Sequence, residues 1–89
     1  MASGPGVAAN EVDVTIRYWA SARAAAGCDS ETLTGNRVDD VLEAAAAAHT
    51  GLAAVLAVST ILLDGRPVTA SVPLRAGAQI EVLPPFAGG

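Results

Sequence analysis

Apolar and polar positions alternate over one stretch early in the chain: Val12, Val14, Ile16 and Tyr18 are separated by Asp13, Thr15 and Arg17. A period of two marks a half-buried β-strand, with the first set facing a core. Trp19 falls out of phase, on the opposite face or at the strand end. It either packs into the core after a bend or stands exposed as an aromatic for a partner. The alanine-rich run 20–26 predicts a short helix, stopped by Gly27. Residues 31–34 predict a second strand, closed by the Gly35-Asn36 turn signal.

The period then changes. Val38, Val41, Leu42, Ala45 and Ala48 recur at three and four residues, the narrow apolar stripe of the main helix. Asn36 is expected to cap its start, and Asp39, Asp40 and Glu43 suit the positive end of the dipole. His49 is expected at the surface of the helix end, with Gly51 as terminator. Leu52, Val55 and Leu56 suggest further helical turns. Thr60, Ile61, Leu62 and Leu63 predict a third strand, turned by Asp64-Gly65 into a short return strand at Pro67-Val68. Pro73 and Leu74 fall in a connecting segment, and Ala76-Gly77 is another turn. Gln79 to Leu83 is the last strand, with Ile80 and Val82 on one face and Glu81 and Leu83 on the other; Pro84 ends it. This succession predicts an α+β fold, one mixed sheet wrapped around the main helix.

At 89 residues the chain is one domain near the lower size limit for independent folding. Three regions are expected: a flexible leader (1–10), the domain (11–84) and a flexible tail (85–89). Much of the apolar content is alanine, yet Leu, Ile, Val and Phe still make up about a quarter of the chain, enough for a small core. The net charge of −4 includes no lysine. Arg17, Arg23, Arg37, Arg66 and Arg75 are scattered, which argues against nucleic acid as a partner, and the acidic balance favours a partner with a basic surface. Arg23 is expected on the surface of the first helix, either solvated or meeting a partner carboxylate. Cys28 is the single cysteine, which excludes an intrachain disulfide and fits a reducing cytosol. No histidine is expected near enough to share a metal with it, so Cys28 reads as a quiet thiol. The leader lacks the basic start and long apolar run of a signal peptide, and no apolar stretch approaches the ~20 residues of a membrane span.

The segment Leu83-Pro84-Pro85-Phe86-Ala87-Gly88-Gly89 carries the chemistry. Paired glycines leave a free carboxylate with no side chain beside it, able to thread a narrow channel. Pro84 and Pro85 fix φ and form a stiff extended neck that carries this tip away from the body. Phe86 sits between neck and tip, where a partner's pocket can hold it.

Arg17-Tyr18-Trp19-Ala20, Arg23, Gly27, the Leu63-Asp64-Gly65 turn and above all the Pro-Pro-x-x-Gly-Gly ending resemble the MoaD-like branch of the ubiquitin-like sulfur carriers, the small subunits of molybdopterin synthase. The likeness covers residues 12–89 and implies the β-grasp fold. It further implies that a partner enzyme uses ATP to adenylate Gly89, and that a sulfur source converts the glycyl adenylate to a thiocarboxylate. The tail, with Gly88 and Gly89 at its tip, would then enter the large subunit, where sulfur passes to a cyclic pyranopterin to build the molybdopterin dithiolene. No self-contained active site, bound cofactor or metal is expected. Trp19, Pro67 and Leu83 match apolar family positions that face the large subunit. Arg23, Pro84, Pro85, Phe86 and Ala87 join them as expected partner contacts in a heterotetramer. Phe86 stands where the family commonly has a smaller aliphatic residue, and Ala76-Gly77-Ala78-Gln79 replaces a frequent Asp-Gly-Asp-Glu. Two other readings keep the tail: a carrier for thiamine or cysteine synthesis, and a ubiquitin-like protein modifier.

Overall fold

The computed structural model describes residues 11–69 and 71–85. Along these residues run β1 (Val12–Tyr18), α1 (Ala20–Ala26), β2 (Ser30–Gly35), α2 (Val38–Ala48), α3 (Leu52–Leu56), β3 (Thr60–Leu63), β4 (Arg66–Pro67) and β5 (Gln79–Leu83). The strands form one mixed sheet in the order β2-β1-β5-β3-β4. β1 and β5 pair in parallel at its middle, and the other neighbours are antiparallel.

The alternation in β1 decides which face is covered. Val14, Ile16 and Tyr18 are buried, and so are Ile80 and Val82 on β5. They share one core with Ala22 and Ala26 of α1, Val38, Val41 and Ala45 of α2, and Leu52 of α3. Small alanines at the contact positions let the helices approach the sheet closely. Each buried Ile, Leu or Val contributes roughly 1.5–3 kcal/mol on leaving water, so few such residues suffice for a domain this size. The opposite face of the sheet carries no helix among the described residues.

Turns follow from backbone chemistry. Gly27 adopts φ 76° and donates its N–H to the Arg23 carbonyl, ending α1 as expected. Asp64 (φ 50°) and Gly65 (φ 88°) make the tight hairpin between β3 and β4, a geometry that Asp-Gly tolerates. Asp64 also exchanges two bonds with Gln79, its N–H to the Gln79 carbonyl (2.8 Å) and its Oδ1 from the Gln79 N–H (2.9 Å). The hairpin is thereby fastened to the start of β5.

Several expectations need correction. The residue preceding α2 in extended conformation is Arg37, not Asn36. The cap comes from inside the helix, where Asp40 Oδ2 accepts from the backbone N–H groups of Asn36 (2.9 Å) and Arg37 (3.0 Å). Ala48 is exposed, because α2 has turned past the sheet by its last residue. α2 ends before Gly51, which instead precedes α3 with φ 90°. Val68 lies outside β4, although its N–H reaches the Ile61 carbonyl at 3.0 Å. Pro84 is buried and only Pro85 is exposed, so the two prolines do not form a neck standing clear of the body.

Candidate functional site

The uncovered sheet face is assembled by register. Arg17 on β1 lies beside Glu81 on β5, Glu81 opposite Leu62 on β3, and Leu62 opposite Pro67 on β4. These pairs alternate with the buried Ile16–Ile80 and Tyr18–Val82 pairs, so the row points away from the helices. Leu83, two residues beyond Glu81, is on the same face, opposite Thr60. Leu62 and Leu83 are half-buried yet take no part in the core cluster.

Trp19 belongs to this face. Its indole N–H donates to Glu81 Oε2 at 3.1 Å, and the Arg17 guanidinium lies 4.6 Å from its ring centroid. Cation and carboxylate hold the ring on the uncovered face instead of letting it turn inward. Of the two readings of its sequence position, the core reading fails: Trp19 is half-buried outside the core. The structure therefore brings Trp19, Leu83 and Pro67 to one surface. Arg23 does not join them; it sits exposed on α1, 3.5 Å from Asp29 across a solvated ion pair worth little.

β5 runs through the middle of this surface and delivers the chain to Pro84 and Pro85. Phe86, Ala87, Gly88 and Gly89 lie outside the described residues.

A second cluster occupies the sheet end from which β5 leaves. Glu31 Oε2 accepts from the Tyr18 hydroxyl at 2.6 Å and lies 2.6 Å from His49 Nε2. The Tyr18 and His49 rings meet edge to face at 6.1 Å. Burial opposes ionisation of Glu31, but the bonds from Tyr18 and His49 and the histidine's charge outweigh it, holding the carboxyl below its ordinary range. Burial, reinforced by Glu31, pushes the Tyr18 phenol well up. Burial and then the charges of Glu31 and Asp29 raise the Cys28 thiol. His49 is thus not a free surface residue at the helix end, and it does come close to Cys28: a sulfur, a carboxylate oxygen and an imidazole nitrogen of Cys28, Glu31 and His49 lie within 4.8 Å of one another. Chain separation concealed this group, since Glu31 and His49 are 18 residues apart and only the packing of α2 on β2 joins them.

No helix among the described residues is long and apolar enough to cross a membrane. Solved structures with this fold include the small archaeal modifier protein 1 of Methanosarcina acetivorans, 25% identical with a TM-score of 0.82 over 89% of this chain and 98% of that one. A putative molybdopterin converting factor subunit 1 of Pyrococcus furiosus is 29% identical, with a TM-score of 0.76 over 84% of this chain and 99% of that one. The complex of subunits 1 and 2 of the molybdopterin-converting factor of Helicobacter pylori includes a chain 25% identical, with a TM-score of 0.67 over 88% of this chain and 100% of that one. No curated protein matches the sequence. The ThiS family model matches residues 16–89, which takes in β1 from Ile16 onward, every later element and the glycine tail, and the chain is a ubiquitin-like β-grasp protein belonging to the ThiS family.

Proposed function

We propose that the chain is the sulfur-carrier subunit of a molybdopterin synthase and that Gly89 carries the sulfur. The observation that bears most weight is the continuity of the central strand β5 with the Gly-Gly ending. An ionised carboxylate is a poor acyl donor at neutral pH, since it titrates near 3.5 and repels nucleophiles. In the proposed cycle the Gly89 carboxylate attacks the α-phosphate of ATP in a partner enzyme, with pyrophosphate leaving. A sulfur donor then displaces AMP, and the terminal carbon keeps one oxygen and gains one sulfur. In the large subunit the thiocarboxylate sulfur attacks a carbon of the pyranopterin precursor and displaces an oxygen substituent, giving an acyl thioester. Water then cleaves its acyl C–S bond, which leaves the sulfur on the pterin and restores the Gly89 carboxylate. Both active sites must hold the same carbonyl within roughly 3–3.5 Å of a nucleophile, and a tail without side chains permits that.

The likeness to molybdopterin-converting factor chains from Pyrococcus furiosus and Helicobacter pylori supports this pathway. The Helicobacter pylori complex joins subunits 1 and 2, which supports a large-subunit partner here. The face bearing Trp19, Leu62, Leu83 and Pro67 supplies a largely apolar surface for it, with Glu81 at its middle on β5 and Arg17 beside it on β1. The likeness to small archaeal modifier protein 1 favours a second reading, attachment of Gly89 to amines of other proteins. Intact-mass measurement of the protein from its own cells, with its large subunit co-purified, tests the first. Replacement of one oxygen by sulfur at the C-terminus, lost on incubation with large subunit and pyranopterin, is the expected result. Lysine conjugates with no thiocarboxylate would establish the second reading instead.

A further inference from the structure

We propose that Cys28, Glu31 and His49 form a binding site for a thiophilic divalent cation of the zinc class. The three come from separate elements: the turn after α1, strand β2, and the residue that ends α2. Among the described residues they form the group whose donor atoms converge, all within 4.8 Å of one another.

The donor set is selective. Thiolate and imidazole suit zinc and its neighbours, whereas calcium and magnesium require oxygen ligands. Bonds of 2.0–2.3 Å at tetrahedral angles place ligand atoms about 3.3–3.8 Å apart, so the cluster needs adjustments of about 1 Å. The 2.6 Å contact between Glu31 and His49 would open as the cation inserts between them, the shared proton passing to solvent or to His49 Nδ1. Three protein ligands leave a fourth position for water or an exogenous ligand.

The surroundings support the same assignment. Tyr18 is buried and already donates to Glu31, the kind of outer bond that orients a ligating carboxylate. Cys28, Glu31 and His49 are each partly exposed, which gives an ion a route in. A coordinating thiol is deprotonated, and its proton passes to solvent on binding. The cluster lies on the helix-covered side and is independent of the sulfur-carrier reading, so either can fail alone.

The test is direct titration of the chelator-treated full chain with zinc, by calorimetry, and with cobalt(II), by absorption. One equivalent of zinc should bind, and cobalt should develop a thiolate charge-transfer band with the visible bands of a four-coordinate ion. Cys28→Ser leaves the Tyr18–Glu31–His49 bonds in place, so it should fold normally, lose the charge-transfer band and bind zinc at least roughly tenfold more weakly. His49→Gln should lose affinity to a similar degree. Absence of saturable zinc binding, or Cys28→Ser binding as tightly as the parent chain, would overturn the assignment.

Discussion

Trp19 donates its indole N–H to the Glu81 carboxylate across 3.1 Å, tying the end of β1 to the central strand β5 on the uncovered side of the sheet. The ring is thereby held ready before any partner arrives. Trp19→Ala should lower large-subunit affinity by about 2 kcal/mol or more, as buried aromatic anchors at interfaces commonly do. Thermal stability should change little, because the ring is outside the core. Binding isotherms paired with melting curves decide it; a large fall in melting temperature at unchanged affinity would assign the ring a folding role.

The two prolines after β5 are expected to separate. Pro84 is buried, so Pro84→Gly should destabilise the domain by about 1 kcal/mol or more through lost packing and a freer unfolded chain. Pro85 is exposed, and Pro85→Gly should leave the melting temperature nearly unchanged while weakening large-subunit binding. Equal effects of both substitutions on stability would contradict this division.

Deletion of Gly89, or addition of one residue after it, should abolish sulfur transfer and leave the fold intact. In the proposed cycle either variant displaces the reacting carbon. Normal molybdopterin formation by either purified protein would sink the carrier function.

Gly35 tests the packing of β2 on α2. A Cβ there would stand 2.8 Å from the Asp40 Cβ and 3.1 Å from a Val41 methyl, both fixed by the helix. Gly35→Ala should therefore cost about 1–3 kcal/mol, the range for overpacked cores. Unchanged stability in denaturant unfolding would show that α2 can shift.

Glu31 sets a dependence on acid in the metal-free protein. Its folded carboxyl titrates below the ordinary value near 4.3, so its contribution is complete above that pH and lost as pH falls through the folded value. In the presence of chelator, the parent chain should lose stability more steeply than Glu31→Gln on acidification below pH ~4.5. Parallel curves would remove Glu31 from the account.

What the sequence made legible is what local periodicity controls. The two-residue alternation from Val12 to Tyr18 and the spacing of Val38, Val41 and Ala45 reported covered faces, and Gly27 and Asp64-Gly65 reported turns. The errors, and the reading left open at Trp19, lie where side-chain contacts outside the periodic pattern decide. Asn36 has the right side chain for a cap, but Asp40 reaches back and fills that role. His49 has no local signal linking it to Glu31 or Cys28, and the position of Trp19 is decided by Arg17 and Glu81, which hold its ring from two sides. Pro84 looks like the start of a neck because burial of a strand's last neighbour is invisible in one dimension.

The parallel pairing of β1 with β5 has a consequence for how the molecule is made. The ribosome produces β1 first and β5 after every other element, yet the two are neighbours in the middle of the sheet. Until β5 emerges, β1 and β3 each expose an unpaired edge, and the core lacks Ile80 and Val82. A chain interrupted anywhere before β5 therefore lacks both a finished body and the glycine tip. Exposed strand edges make such fragments prone to aggregate, and any partner that recognises the folded sheet would meet only completed molecules.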